Sequence, residues 1–164
     1  MNDLDETDRT ILSLLQENGR TPYAELGKAV GLAVSSVNDR VRKLHERGVI
    51  EGVHATLSAP ALRLDLLAFV FVGWNDPATE EVFLKRVANE TAILECHHVT
   101  GAWNYLLKVR TYTTRDLEAF LNAIVKAVPG VQRTETLIAL SSPKETSHLP
   151  LTPHQWGRNA SKSG

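Results

Sequence analysis

Ser35, Ser36, Asn38, Asp39, Arg42 and Lys43 fall in one short stretch, and most of their types are those that read DNA. Arginine forms paired hydrogen bonds with guanine, asparagine does so with adenine, and serine hydroxyls are short enough to meet base edges. Flanking cations hold phosphates and set the register. Spacing decides whether these residues share a face. Val34, Val37, Val41 and Leu44 recur three and four apart, which predicts an amphipathic helix with Val37 at the centre of its buried side. At about 100° per residue, Ser35, Asp39, Arg42 and Glu46 then point away from the core, with Ser36 and Lys43 on one flank and Asn38 on the other. Arg40 lies about 60° from Val37 on the same wheel, towards the buried side, and is expected to pair with Asp5 or Asp8 rather than to read DNA. A solvated helix of mixed charge shows a similar pattern, so the neighbouring elements must decide.

Those neighbours form a helix-turn-helix. Leu26 and Val30 mark one apolar stripe of a short helix from Tyr23, and Gly31 ends it because a residue without a Cβ accepts the left-handed conformation. Gly27 keeps the first helix small where the second crosses. Gly48 closes the second helix after Arg47. Upstream, Leu4, Ile11, Leu12 and Leu15 line a helix whose first turns carry Asp5, Glu6 and Asp8, where acids favour the positive end of the helix dipole. Asn18-Gly19 stops it, and Thr21 with Pro22 is expected to cap and start the next helix. Val49 to Leu57 is rich in β-formers and reads as a strand, either a wing or an inter-domain strap. Ser58 to Arg63 reads as a linker.

The pattern then changes. Leu66 to Val72 is an apolar run, and Thr79 to Asn89 is helical. Ile93 to Thr100 and Tyr105 to Thr111 form a hairpin. Leu117 to Val128 is a strongly amphipathic helix broken by Pro129-Gly130, and Val131 to Leu140 is a last strand. The order β-α-β-β-α-β is that of a ferredoxin-like unit. The first strand is apolar on both sides, Leu66, Ala68, Val70 and Val72 against Leu67, Phe69 and Phe71. A second subunit is therefore expected to cover the face that the helices leave bare, making a homodimer. The predicted architecture is α+β: residues 1–52 a trihelical, winged helix-turn-helix domain, 53–64 strand and linker, 65–141 the βαββαβ ligand-binding and dimerisation domain, and 142–164 a largely disordered tail. His148 to Leu151 is expected to add a short edge strand.

Composition narrows the function. The chain has 43% apolar and 23% charged residues and a formal net charge of −1, an ordinary globular balance. Charge is segregated: Met1 to Gly19 holds five acids and one base, whereas Arg20 to Ile50 holds six bases and three acids. A local positive patch is what release of counterions from DNA requires. The single Cys96 excludes an internal disulfide and fits a reducing compartment. With no signal peptide and no membrane-length apolar run, the expected location is the cytoplasm. Cys96, His97 and His98 invite a metal or nucleophile reading, but adjacent strand residues point to opposite faces, and no catalytic or metal spacing is present. The chain is therefore expected to be no enzyme and to carry no metal or cofactor. The competing reading is a small-molecule sensor that acts through protein partners with little specific DNA binding.

The stretches Leu4 to Arg20, Arg40 to Gly52, Glu95 to Val109 (E-C-H-H-V-T-G-A-W-N-Y-L-L-K-V) and Pro129 to Thr136 (P-G-V-Q-R-T-E-T) resemble the Lrp/AsnC, or feast/famine, regulators. The resemblance implies binding of double-stranded DNA and dimers that associate to octamers. It also implies a small-molecule effector, an amino acid or related metabolite, bound between dimers. Its expected DNA contacts are Arg20, Tyr23, Ser35, Ser36, Asn38, Asp39, Arg42, Lys43 and Arg47. Carried over by position, its effector site falls on Gly101, Ala102, Trp103, Asn104 and Tyr105, with Thr134 and Thr136 on the last strand. Backbone amides around Gly101 suit a carboxylate, and the two threonines share one side of a strand. Asn104 stands where the family commonly has Asp, which removes a charge for an ammonium group. Trp103 points to a larger or aromatic ligand. Ala33 stands where the family often has Ser, so Ser35 or a backbone group is expected to cap the reading helix.

Overall fold

The computed structural model describes residues 4–151. It contains two compact units, one formed by the chain up to Thr56 together with the segment from Glu145, the other by Leu57–Lys144.

In the first unit, α1 (Glu6–Glu17), α2 (Tyr23–Val30) and α3 (Val34–Glu46) pack around Ile11, Leu26, Val37 and Val41, all buried. Asp5 caps α1, its carboxylate accepting the Asp8 N–H at 2.7 Å. Thr21 does not cap α2: its hydroxyl donates back to the Asn18 carbonyl, and Pro22 takes the cap position with no side-chain bond. Gly31 ends α2 at φ +70°, which lets the Leu32 N–H reach the Gly27 carbonyl at 2.9 Å. Gly27 itself is needed chiefly by this turn. A Cβ there would stand 2.6 Å from the Leu32 carbonyl oxygen, while Val37 of α3 would lie at ordinary contact distance.

Two further expectations are corrected in this unit. Val49 to Leu57 forms no strand, and among the described residues no wing forms beside the helices. Among the described residues the segment pairs with no strand, so its backbone joins no ladder, and Val53 and Leu57 are mostly exposed. The segment around His148 to Leu151 is no edge strand either. The Gln16 carboxamide accepts the Leu149 N–H at 2.7 Å and donates to the Leu149 carbonyl at 3.1 Å, and Arg9 Nη1 donates to the Leu151 carbonyl at 2.7 Å. A carboxamide offers one acceptor and donors, as a peptide does, so one side chain satisfies the backbone without a strand. Of the tail expected from residue 142, Leu149 and Leu151 are thus held against α1; residues 152–164 lie outside the described residues.

The second unit begins with a single 3₁₀ turn (Pro60–Leu62), followed by β1 (Leu66–Gly73), α4 (Thr79–Val87), β2 (Ile93–His98), β3 (Tyr105–Thr111), α5 (Thr114–Phe120) and β4 (Arg133–Ile138). After Phe120 the helix continues over Leu121–Val125 as one widened turn. The sheet is antiparallel with order β2-β3-β1-β4, the arrangement expected of the ferredoxin-like unit. Ala68, Val70 and Val72 of β1 and Tyr105, Leu107 and Val109 of β3 meet Phe83, Leu117, Phe120 and Val125 from the helical layer. On the opposite face Phe69 and Phe71 are half-buried, and Leu137 is half-exposed.

Candidate DNA-binding surface and effector loop

The helix-turn-helix presents α3 as a helix with a buried seam and an open face. Val37, Val41 and Leu44 are at most 3% exposed, whereas Ser35, Ser36, Asn38, Asp39, Arg42, Lys43 and Arg47 are all exposed. Arg20 and Tyr23 are exposed as well. Arg42 is tied within its own helix, 2.7 Å from Glu46 and 3.2 Å from Asp39. Those bonds, Glu46 first, hold its guanidinium above its ordinary pKa. Arg40 is set apart as expected: Nη1 stands 2.7 Å from both Asp5 and Asp8.

That anchor predicts an acid response. The Asp8 N–H, followed by Arg40, holds the Asp5 carboxyl below its ordinary value of 3.8. A carboxylate with a depressed folded pKa contributes stability that is present above the unfolded value and lost as pH falls through the folded one. Urea unfolding at pH 7 and pH 3 is expected to show an acid loss that is smaller in Arg40→Met than in the native chain. Equal losses would detach Arg40 from the effect.

At the start of α3 the serine alternative for the cap is not taken. The helix begins at Val34 with Ala33 as N-cap, and neither Ser35 nor any other side chain caps it. The cap backbone is extended, at φ −65° and ψ 151°, which a serine adopts readily. Ala33→Ser is expected to stabilise the first unit by about 0.5–1 kcal/mol, read as a higher urea midpoint.

In the second unit the loop between β2 and β3 carries the expected effector residues. The Val99 N–H bonds the Asn104 carbonyl and the Asn104 N–H bonds the Val72 carbonyl, both at 3.0 Å. The Asn104 side-chain oxygen accepts the Trp74 N–H at 2.9 Å, so this side chain pins the loop to the end of β1. Gly101 has φ +104°, and a Cβ added there would meet nothing within 4 Å. Trp103 packs on Phe71 with ring centroids 5.9 Å apart, and Arg133 lies over its ring at 5.1 Å. Tyr105, expected in the effector site, is instead a packing residue. It is 6% exposed, stacks on His98 at 4.9 Å and donates its hydroxyl to Glu80 at 2.6 Å. Acceptance by Glu80 and burial push its pKa up to about 12.

Thr134 and Thr136 share a side of β4, opposite Val72 and Val70 on the helix-covered face. Phe71 and Arg133, which hold Trp103, belong to the other face. One chain therefore does not gather the threonines and Trp103 into a single pocket. His97 points away from Cys96 and His98 as strand geometry requires: Cys96 packs against the core and His98 stacks on Tyr105 on the helix-covered face, while His97 meets Glu95 at 3.1 Å on the other. Arg133 and Gly73 were not among the expected site residues. Arg133 stood in the quoted Pro129 to Thr136 stretch, but only pairing with Gly73 shows where it turns.

A trihelical unit with an exposed basic helix, joined to a βαββαβ unit with an open loop, defines an effector-type DNA-binding regulator. Residues 4–45 match the AsnC-type helix-turn-helix domain and residues 67–149 the Lrp/AsnC ligand binding domain. The chain belongs to the Lrp/AsnC family of DNA-binding transcriptional regulators. It is 37% identical over 148 residues to the HTH-type transcriptional regulator FL11 of Pyrococcus abyssi, covering 90% of this chain and 97% of that protein. It is 37% identical over 149 residues to the leucine-responsive regulatory protein of Escherichia coli, covering 90% and 91%. Among solved structures, a transcriptional regulator of Neisseria meningitidis in complex with L-methionine aligns with a TM-score of 0.86 at 32% identity, covering 91% of this chain and 97% of that one.

Proposed function

We propose that α3 is the recognition helix, with Ser35, Ser36, Asn38 and Arg42 facing base edges in the major groove. Asp39 lies beside them, and Arg20, Tyr23, Lys43 and Arg47 serve the phosphates. The observation that carries this reading is the division of cations on α3 and its C-cap: Arg40 is tied to Asp5 and Asp8, while Arg42, Lys43 and the C-cap Arg47 are exposed. A small-molecule effector, an amino acid or related metabolite, acts through residues 101–104 with Thr134 and Thr136. The Neisseria relative's complex with L-methionine supports this class. Because one chain separates Trp103 from the threonines, a second subunit is needed to complete the site. The half-buried Phe69 and Phe71 support a homodimer through the open sheet face, with dimers associating to octamers. The protein works in the cytoplasm and catalyses no reaction; among the described residues no helix is long and apolar enough to cross a membrane.

The test is selection of bound sequences from random duplex DNA, followed by affinity measurements across salt. A recovered motif with two half-sites about one helical turn, 34 Å, apart supports the reading. Affinity should fall steeply with salt, and Lys43→Ala or Arg47→Ala should each reduce the log–log slope by about two, one phosphate contact being lost in each half-site. Failure to recover any motif would favour a sensor acting through protein partners.

A further inference from the structure

The loop residues 99–104, Val-Thr-Gly-Ala-Trp-Asn, contain neither acid nor base. Charge reaches this loop from β4. Register pairs Arg133 with Gly73, and the bare Gly73 gives Arg133 its seat, since a Cβ there would stand 2.6 Å from Arg133 Nε. Seated this way, the guanidinium lies over the Trp103 ring and donates from Nη2 to the Ala102 carbonyl. A guanidinium has five N–H donors in a planar fork suited to carboxylates, and the Ala102 carbonyl occupies only part of it. Within the loop itself an ammonium group finds no acid. Asn104 has its side-chain oxygen committed to Trp74, and Glu80 accepts from Tyr105. Glu135, the nearest acid along β4, shares the face of Arg133 opposite Phe71 but stands two residues on, about 7 Å further along the strand. Trp103 and Ala102 supply apolar surface beside the cation.

We propose that this loop takes a carboxylate with an aromatic or other apolar body, anchored by the Arg133 guanidinium over Trp103, with no amino group required. This rests on the reading that the loop around Gly101 is the effector site. Arg133 is then the residue that sets ligand class.

The test is calorimetric titration of the full chain with indole-3-acetate, tryptamine and L-methionine, on the native protein and on Arg133→Gln, Arg133→Lys and Gly101→Val, with melting temperatures checking that each variant folds. Indole-3-acetate is expected to bind and tryptamine not. Arg133→Gln should weaken indole-3-acetate about 10–100-fold, and Arg133→Lys should recover part of the loss. Equal binding of indole-3-acetate by the native chain and Arg133→Gln overturns the proposal, as does tryptamine binding as tightly as the acid. If only L-methionine binds, unaffected by Arg133→Gln but abolished by Gly101→Val, the carboxylate preference fails and the loop reading stands. Binding of none of the three, or binding that Gly101→Val leaves unchanged, overturns both.

Discussion

Replacing Phe83 by alanine is expected to destabilise the second unit by about 3–5 kcal/mol, the range for emptying a buried aromatic position. Phe83 is 1% exposed, with its ring centroid 5.0 Å from Trp74 and 5.2 Å from Tyr105. It stands on the same helix as Glu80, which accepts the Tyr105 hydroxyl. One face of α4 therefore packs Tyr105 and bonds it, and Tyr105 is the first residue after the effector loop. Truncation should lower the urea midpoint and also raise amide exchange across residues 99–104. Leu84→Ala on the same helix is the control: Leu84 is 40% exposed, and its loss should cost much less. A Phe83→Ala variant as stable as Leu84→Ala would show that the aromatic cluster does not hold this unit together.

Arg42→Ala is expected to weaken binding to a selected operator about 10–100-fold and to relax sequence preference at one base pair. The bonds to Asp39 and Glu46 shape this expectation in two ways. They restrict the rotamers of a long side chain, so less conformational entropy remains to be lost when it meets a base. They also surround the cation with two acids that repel phosphates, which keeps it from serving as a general backbone contact. Glu46→Gln should therefore raise affinity for random duplex DNA while Arg42→Ala lowers affinity for the operator, a contrast that paired anisotropy titrations would read. If Arg42→Ala weakened operator and random DNA equally, Arg42 would be a phosphate contact only.

Much of the architecture was readable because it rests on local periodicity. Val37, Val41 and Leu44 are one face of a helix in any context that buries apolar surface, although Val34 at the helix start is 50% exposed, and Gly31 is a helix stop through its own backbone freedom. The wheel position of Arg40 was enough to separate it from Arg42. Strand alternation likewise set His97 apart from Cys96 and His98. Reading failed where a segment's state depends on its neighbours. Val49 to Leu57 has the composition of a strand but no ladder to join among the described residues. Leu149 is held by Gln16, a side chain more than a hundred residues earlier, which no local pattern reveals.

The sequence by itself determined the exposed basic helix, the order β-α-β-β-α-β and the uncharged loop around Gly101, because residue type and spacing are sufficient causes of each. Only the tertiary structure decided that Asn104 is a pin for Trp74, that Tyr105 belongs to the core, that Thr134 and Trp103 serve opposite faces of the sheet, and that Arg133 turns over Trp103 because Gly73 leaves it room. Each of these depends on strand register. A pairing shift of one residue moves every side chain to the other face, and the partners that set register are distant in the chain.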